Sequence, residues 1–473
     1  MNTEQFELVV IGAGPAGMSA ATTAARLGLV TLLVDEQPRP GGQIYRNIGK
    51  PVLKNEKILG PDYYYGSKLL EAFSGSSCSY LAGATVWEVT SDNIICISVD
   101  GESRRIGFKK LLIATGAQER PVPFPGWTLP GVMTCGAAQI LLKASGLTPP
   151  GPLVIAGSGP LLLLIACQLV RAGVRIDAIL ETTPRENYFS ALSEIAGAVK
   201  GWRYLLKGAQ MLAELRKAGV QHLKGITELK AEPDAEGNLA RAVFVRNGKQ
   251  EGIDCNTLLV HQGVIPNTQL TRSVNLEHIW DEGQQCWKPR LGPGGQSSAA
   301  DIFVAGDSAG IGGALVAEMQ GRLSALDISM SLHAEIGPAV VTEQRQLRHA
   351  LKYQLAIRPF LDRLYSPAQA FLVPPDETVV CRCEEVTAKE IRSLTAQGCS
   401  GPNQTKAFCR AGMGPCQGRQ CGMTVSNLLA DELKSSPSQV GYYNIRPPIK
   451  PLTLGELASI ADSQTVEHSI SER

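Results

Sequence analysis

Two stretches constrain the fold more than anything else in this chain: VVIGAGPAGMSAA at residues 9–21 and LVIAGSGPLLLLIA at 153–166. Each is a short apolar run, a glycine turn and a run that continues with helical spacing. Each opens a βαβ unit. In the first copy the strand VTLLVDE follows, then the alternating patch YLAGATVWEVTSDNIICISVDG, then KLLIATGAQERPVPFPG. In the second copy VRIDAILE follows, then ITELKAEPDAEGNLARAVFVRNG, then TLLVHQGVIPN. The period-two patches predict an antiparallel ribbon inserted into each unit. A chain of 473 residues that carries this plan twice has the length for two α/β nucleotide-binding domains and a smaller module.

The first glycine turn contains Gly12, Gly14 and Gly17, spaced G-x-G-x-x-G between a strand and a helix. The first glycine permits the tight turn, the second lets backbone approach a pyrophosphate, and the third lets helix pack on strand, with the helix N-terminus facing the anion. Asp35 ends the next strand, placed to hold an adenosine ribose, with Glu36 beside it. Gly41-Gly42-Gln43, Ala114-Thr115-Gly116 and Gly306-Asp307 stand far apart in sequence, the last two each following an apolar strand. Together with the glycine turn this set resembles the FAD site of the glutathione-reductase and thioredoxin-reductase superfamily. That resemblance implies an α/β fold with two dinucleotide-binding domains. Gly42, Gln43, Thr115, Gly116 and Gly306 would then meet at the flavin nucleotide, and Asp307 would bond the ribityl chain.

The second turn keeps Gly157 and Gly159 but has Leu162 in the third position, which is expected to widen the helix–strand packing. Glu181 ends the following strand and favours a free ribose 2′-hydroxyl over a 2′-phosphate. Three readings stay open for this site: NAD, an adenine nucleotide such as ATP as a structural element, or a vestige. Disulfide reductases of the superfamily need a C-x-x-C pair beside the flavin, and no C-x-x-C occurs in this sequence. Cys135 stands alone and reads as a small buried residue.

Six of the twelve cysteines fall between Cys381 and Cys421. With no positive n-region before the first apolar run, a secretory leader is not expected, and the thiols should be reduced in a cytoplasmic setting. Cys381 and Cys383 form a C-x-C on one short loop, and Cys416 and Cys421 flank glycines that let backbone N–H groups wrap sulfur. These four are the expected ligands, and Cys399 and Cys409 lack such a setting. Four thiolates suit an iron–sulfur cluster. Tetrahedral zinc is the competing reading, although the usual pair of C-x-x-C knuckles is missing. The text CRCEEVT…GMGPCQGRQC resembles the bacterioferritin-associated-ferredoxin-like [2Fe–2S] domain. It departs at Cys409, where that family more often has threonine.

The expected domains are therefore 1–125 with 295–335 for FAD, 126–294 for the second nucleotide, a helical linker at 336–377, the cysteine module at 378–430 and a tail at 431–473. The tail's IRPPIKP reads as extended, covering either another subunit or its own cluster. Net charge is +1 with no basic stripe, which argues against nucleic acid as a partner. Residues 151–170 carry no charge, but the Gly-Ser-Gly-Pro in their middle predicts strand, turn and helix rather than a membrane span.

DEQPRPGGQIYR, ATGAQERPVPFPGW, LPGVMTCGAAQ, GDSAGIGGALVAEMQGR and the cysteine text together resemble the FAD-containing α (A) subunits of heteromeric amino-acid and opine dehydrogenases. This resemblance implies a β subunit that oxidises an amine with its own FAD. It also implies a downstream electron acceptor, an FMN between subunits in some relatives, and a peripheral station at the inner membrane. A flavin exchanges two electrons and a two-iron cluster one, so the pair would act as a converter. The other readings are a stand-alone NADH-dependent reductase and a zinc-stapled, non-redox nucleotide-binding scaffold.

Overall fold

The computed structural model describes residues 4–333 and 337–460. Positions 334–336, at the expected junction of FAD-binding domain and linker, and 461–473 of the expected tail lie outside the described residues.

Apolar runs such as LVVI and TLLVD form strands buried on both faces, which is what a parallel sheet between two layers requires. In the first domain Ser79–Ala82, Thr31–Asp35, Glu4–Ile11 and Glu102–Ile113 lie side by side in that order. Ile302–Val304 closes the parallel set by pairing with the end of the long strand Glu102–Ile113. The beginning of that long strand pairs instead with the ribbon Thr85–Val89 and Ile94–Val99. The alternating patch is thus a ribbon, as its period indicates. The second domain repeats the arrangement with Gln221–Lys224, Ile176–Glu181, Leu153–Ser158, Thr257–Gln262 and Val132–Thr134, all parallel. Its ribbon has three strands, from Ile226 to Asp254. The apolar stretch 151–170 folds as the strand Leu153–Ser158 and the helix Pro160–Arg171, and no helix among the described residues is long and apolar enough to cross a membrane.

The domains are joined by two crossing segments, Ala117–Glu119 and Val264–Pro266, which pair antiparallel. Arg120, next to the first, is buried and donates to the carbonyls of Gln262, Gln284 and Gln285, fastening the hairpin His278–Pro289 to the crossing. The first sheet divides two cores. Leu8, Val10, Leu33 and Leu112 face the helices Pro15–Arg26 and Ala314–Leu332. Val9, Ile11, Leu111 and Ile113 face the ribbon, and this core continues into Val380, Val425, Leu428, Tyr443, Ile445 and Ile449 of the C-terminal region. The cysteine module is therefore seated on the first domain's sheet rather than tethered beside it.

The charge-rich segment after the first domain is helical, at Pro338–Leu355, Arg358–Leu364 and Gln369–Leu372. The tail runs back across its own chain. Tyr443 enters the cysteine loops, Ile449 N–H donates to the Trp87 carbonyl at 3.0 Å, and Ser459 accepts from the Ser103 N–H at 2.9 Å.

Candidate functional site

The dispersed glycine loops meet where the first turn requires them. Gly12 has φ +105°, and a Cβ there would stand 2.5 Å from the Ala114 carbonyl oxygen, so the Ala114-Thr115-Gly116 loop can close on the turn only if that residue is glycine. A Cβ on Gly17 would meet the Gly12 oxygen at 1.8 Å, which fixes how closely helix and strand pack. Gly42 stands 2.9 Å from Gly14 Cα by the same measure, and Gly306 2.9 Å from Ala16 Cβ. Gly14 and Gly116 face open space apart from a distant Gly42 Cα. The result is a cradle of bare backbone at the N-terminus of a twelve-residue helix, which suits a pyrophosphate.

The acids are held differently from one another. Asp35 is buried and braces the turn, with one oxygen accepting from Ala13 N–H at 2.5 Å and the other from Gln37 N–H at 2.7 Å. Burial pushes its carboxyl upward while those two bonds pull the other way. Glu36 points outward to Lys450 of the tail at 2.6 Å. Asp307 accepts from the Gly312 and Gly313 N–H groups at 2.9 Å each, which fixes the start of the helix Ala314–Leu332. The Gln43 side chain bonds Arg46, and its carbonyl accepts from Lys143 at 3.2 Å. Lys143, on the second domain's helix Cys135–Ser145, also reaches the Ile44 carbonyl and Gln139. Cys135 is fully buried at the start of that helix.

The second turn repeats the close glycine packing of the first. A Cβ on Gly157, at φ +140°, would stand 1.7 Å from the His261 carbonyl oxygen, and one on Gly159 would meet only the His261 ring, at 3.9 Å. His261 is buried and its Nδ1 meets Glu119 at 2.7 Å, while the other Glu119 oxygen accepts from Gly136 N–H. Leu162 belongs to the second domain's core. Glu181 is already engaged, by the Tyr188 hydroxyl at 2.5 Å, His222 at 2.7 Å and Lys224 at 3.7 Å. Burial is the largest influence on its carboxyl and raises it, but the His222 and Tyr188 bonds and Lys224 together bring it down to about 2.

The structure brings Cys381, Cys383, Cys416 and Cys421 together as two facing pairs, Cys381 with Cys421 and Cys383 with Cys416. The bond from Cys421 is the main reason the Cys381 thiol falls to about 6; burial opposes it, and the Gly412, Glu384 and Cys383 N–H groups add to it. A Cβ on Gly414 would stand 2.3 Å from Cys383 Cβ, so the ligand loops touch through glycine. Among the described residues no three His, Cys, Asp or Glu side chains converge as a single metal ion would need. Two pairs of thiols with N–H groups aimed at sulfur could suit the donor set of a two-iron cluster. Cys399 is buried apart, and the Cys409 thiol donates to the Thr405 carbonyl.

The Cys416–Cys421 loop also touches the first domain's edge. Gln118 donates to the Arg419 carbonyl at 3.0 Å and Gln269 to the Gln417 carbonyl at 2.9 Å. Gln118 follows the Ala114-Thr115-Gly116 loop, and Asn267, two residues before Gln269, donates its N–H to the Gly116 carbonyl at 2.9 Å. Behind the loop, the Arg272 guanidinium lies between the rings of Tyr442 at 4.2 Å and Trp287 at 5.2 Å. Gln118, Gln269, Arg272 and the tyrosine pair went unread in sequence. The only signal was two adjacent tyrosines in a chain with 5% aromatic residues.

The profile of the pyridine nucleotide-disulphide oxidoreductase family matches residues 6–321, and that of the sarcosine oxidase A3 domain matches 376–461. The chain belongs to the pyridine nucleotide-disulphide oxidoreductase family. It is a flavin-dependent oxidoreductase. The opine oxidase A subunit of Rhizobium meliloti is 41% identical to it over 99% of this chain and 90% of the relative. Hydrogen cyanide synthase subunit HcnB of Pseudomonas aeruginosa is 34% identical over 94% of this chain and 96% of the relative. The resemblance to α (A) subunits is thereby established along the whole chain. Among solved structures, L-proline dehydrogenase from P. horikoshii shares the fold, with a TM-score of 0.70 at 16% identity over 97% of this chain and 81% of that one.

Proposed function

We propose that the chain is the FAD- and [2Fe–2S]-containing electron-transfer subunit of a heteromeric dehydrogenase. A partner β subunit with its own FAD would oxidise an amine or imino acid of opine, hydroxyproline, proline or glycine type. When bound, FAD supplies two-electron chemistry and the cluster one-electron chemistry. The chain's residues supply the placement. Gly12, Gly14, Gly17, Gly42, Thr115, Gly116 and Gly306 would cradle the flavin nucleotide, with Asp35 bracing the turn and Asp307 at the ribityl chain. Cys381, Cys383, Cys416 and Cys421 would hold the cluster.

The observation that carries this reading is the docking of the ligand loop on Gln118 and Gln269, at the edge of the flavin-binding loops. Two further features support it. Glu181, needed for an adenosine ribose, is occupied by Tyr188 and His222, which weighs against tight NADH binding. Phe189, Leu192, Ile195, Val199, Trp202 and Leu206, spread over successive short helices between Arg185 and Lys217, are each exposed apolar side chains, the kind of residue that a partner subunit can cover. An FMN at the subunit junction, an acceptor at the inner membrane and a cytoplasmic station belong to the same proposal. The second reading, a stand-alone NADH-dependent reductase, rests on the intact Gly157 and Gly159.

Anaerobic titration of the purified chain with NADH separates the two. A flavin spectrum that stays oxidised with NADH and bleaches with dithionite supports the electron-transfer subunit. Bleaching at stoichiometric NADH overturns it in favour of the reductase. Opines, D-hydroxyproline, proline and glycine are then assayed on the complex with the partner chain.

A further inference from the structure

Tyr443 sits where a structural ring alone would not need a hydroxyl. The residue is 2% exposed. A Cβ on Gly412 would stand 2.6 Å from its Cζ, and one on Gly418 2.6 Å from its Cδ2, so the ring is clamped between the two turns that flank Cys416. Its neighbour Tyr442 packs edge-on at 5.8 Å, and a Cβ on Gly422 would lie 2.3 Å from the Tyr442 hydroxyl. The tail thus closes the side of the ligand loops that carries Cys416 and Cys421. The Tyr443 hydroxyl is buried without a well-formed hydrogen bond to any protein atom, an arrangement that folded proteins seldom tolerate without a reason. The group beside it is the Cys421 sulfur. A thiol sulfur is a weak acceptor, whereas a cluster-bound thiolate carries charge and accepts well.

We infer that the Tyr443 hydroxyl donates to the Cys421 thiolate of a bound two-iron centre and raises that centre's reduction potential. This rests on the iron–sulfur reading above. The reduced centre has one more negative charge than the oxidised one, so a donor aimed at a ligand sulfur stabilises the reduced form more. Tyr443 is a positioning residue in this role. It takes no electron and moves no proton, and it would set which way an electron moves between flavin and cluster.

The test is Tyr443→Phe in the full chain, which keeps the ring between Gly412 and Gly418 and removes only the oxygen. Wild type and variant are reconstituted anaerobically, assayed for iron and sulfide, and titrated with dithionite and mediators while the reduced cluster is followed by electron paramagnetic resonance. Equal iron content is expected, with the reduction equilibrium of the cluster weakened about tenfold, which for one electron is about 59 mV, and the flavin potential unmoved. An unchanged cluster potential at equal iron content overturns the inference and leaves the iron–sulfur reading intact. Wild type that takes up no iron overturns that reading, and the inference with it. Should the phenylalanine variant fail to hold the cluster, site-specific 3-fluorotyrosine at 443 decides. Its more acidic hydroxyl keeps the fit and is expected to raise the potential, and no shift there overturns the inference.

Discussion

At the residue scale, two glycines in one turn make different predictions. Gly12 is required by the fold, because any Cβ meets the Ala114 carbonyl and its φ is +105°. Gly14 is not, since the nearest atom to its Cβ is Gly42 Cα at 4.0 Å. Gly14→Ala should therefore leave the thermal midpoint of the flavin-free chain unchanged while reducing bound flavin about tenfold, or ~1.4 kcal/mol. Gly12→Ala should lower both. Flavin absorbance per chain, read beside a melting curve, checks the pair. The cysteines divide in the same way. Cys381→Ser should abolish iron binding, whereas Cys399→Ser and Cys409→Ser should retain it, measured as iron per chain. Retention by a Cys381 variant with loss in a Cys409 variant would reassign the ligands.

At the scale of elements, the helix Cys135–Ser145 is tied to the first domain by Lys143, whose ammonium meets the Gln43 and Ile44 carbonyls. Burial, and secondarily Arg46, bring Lys143 down to about 7 from 10.5. A base whose folded value is depressed binds fewer protons folded than unfolded between those two values. Its contribution to stability therefore increases as pH rises from about 7 towards 10.5. The gap in unfolding midpoint between wild type and Lys143→Met should move in favour of wild type across that interval. A gap that stays flat with pH would show that Lys143 is charged in the folded chain throughout.

At the scale of the molecule, the shared core is the decisive feature. Ile445 and Ile449 of the tail pack with Val9 and Ile11 of the first sheet and with Val425 and Leu428 of the cysteine module. Ile449→Asp would bury a charge in that core, at a cost on the order of 3 kcal/mol or more. It should lower the thermal midpoint and expose the module to limited proteolysis while the flavin stays bound. A module that survives protease in this variant would mean that docking depends on the Gln118 and Gln269 bonds instead. The same packing places the tail on its own chain, where the extended IRPPIKP left two options open.

Much of this protein was legible because its information is local. The glycine turns, the apolar runs and the period-two ribbons each depend on residues a few positions apart, and they specified two α/β nucleotide-binding units before any contact was known. The grouping of the four expected cysteines could be anticipated for the same reason: C-x-C and glycine-flanked sulfur are short-range patterns. What stayed hidden depends on distance along the chain. Nothing near Glu181 in sequence shows that His222 will bond it, since that contact comes from the neighbouring parallel strand Gln221–Lys224. Nothing near Gly157 announces His261. The tyrosines that close the ligand loops come from the tail, and Gln118 and Gln269 come from the crossing between domains. The α/β units and their glycine turns could be read from the sequence alone, because local sterics and periodicity act within one element. What engages Glu181, what backs the cysteine loops and where the tail lies were settled by the tertiary structure, because those outcomes depend on which side chains long-range packing brings into the same space.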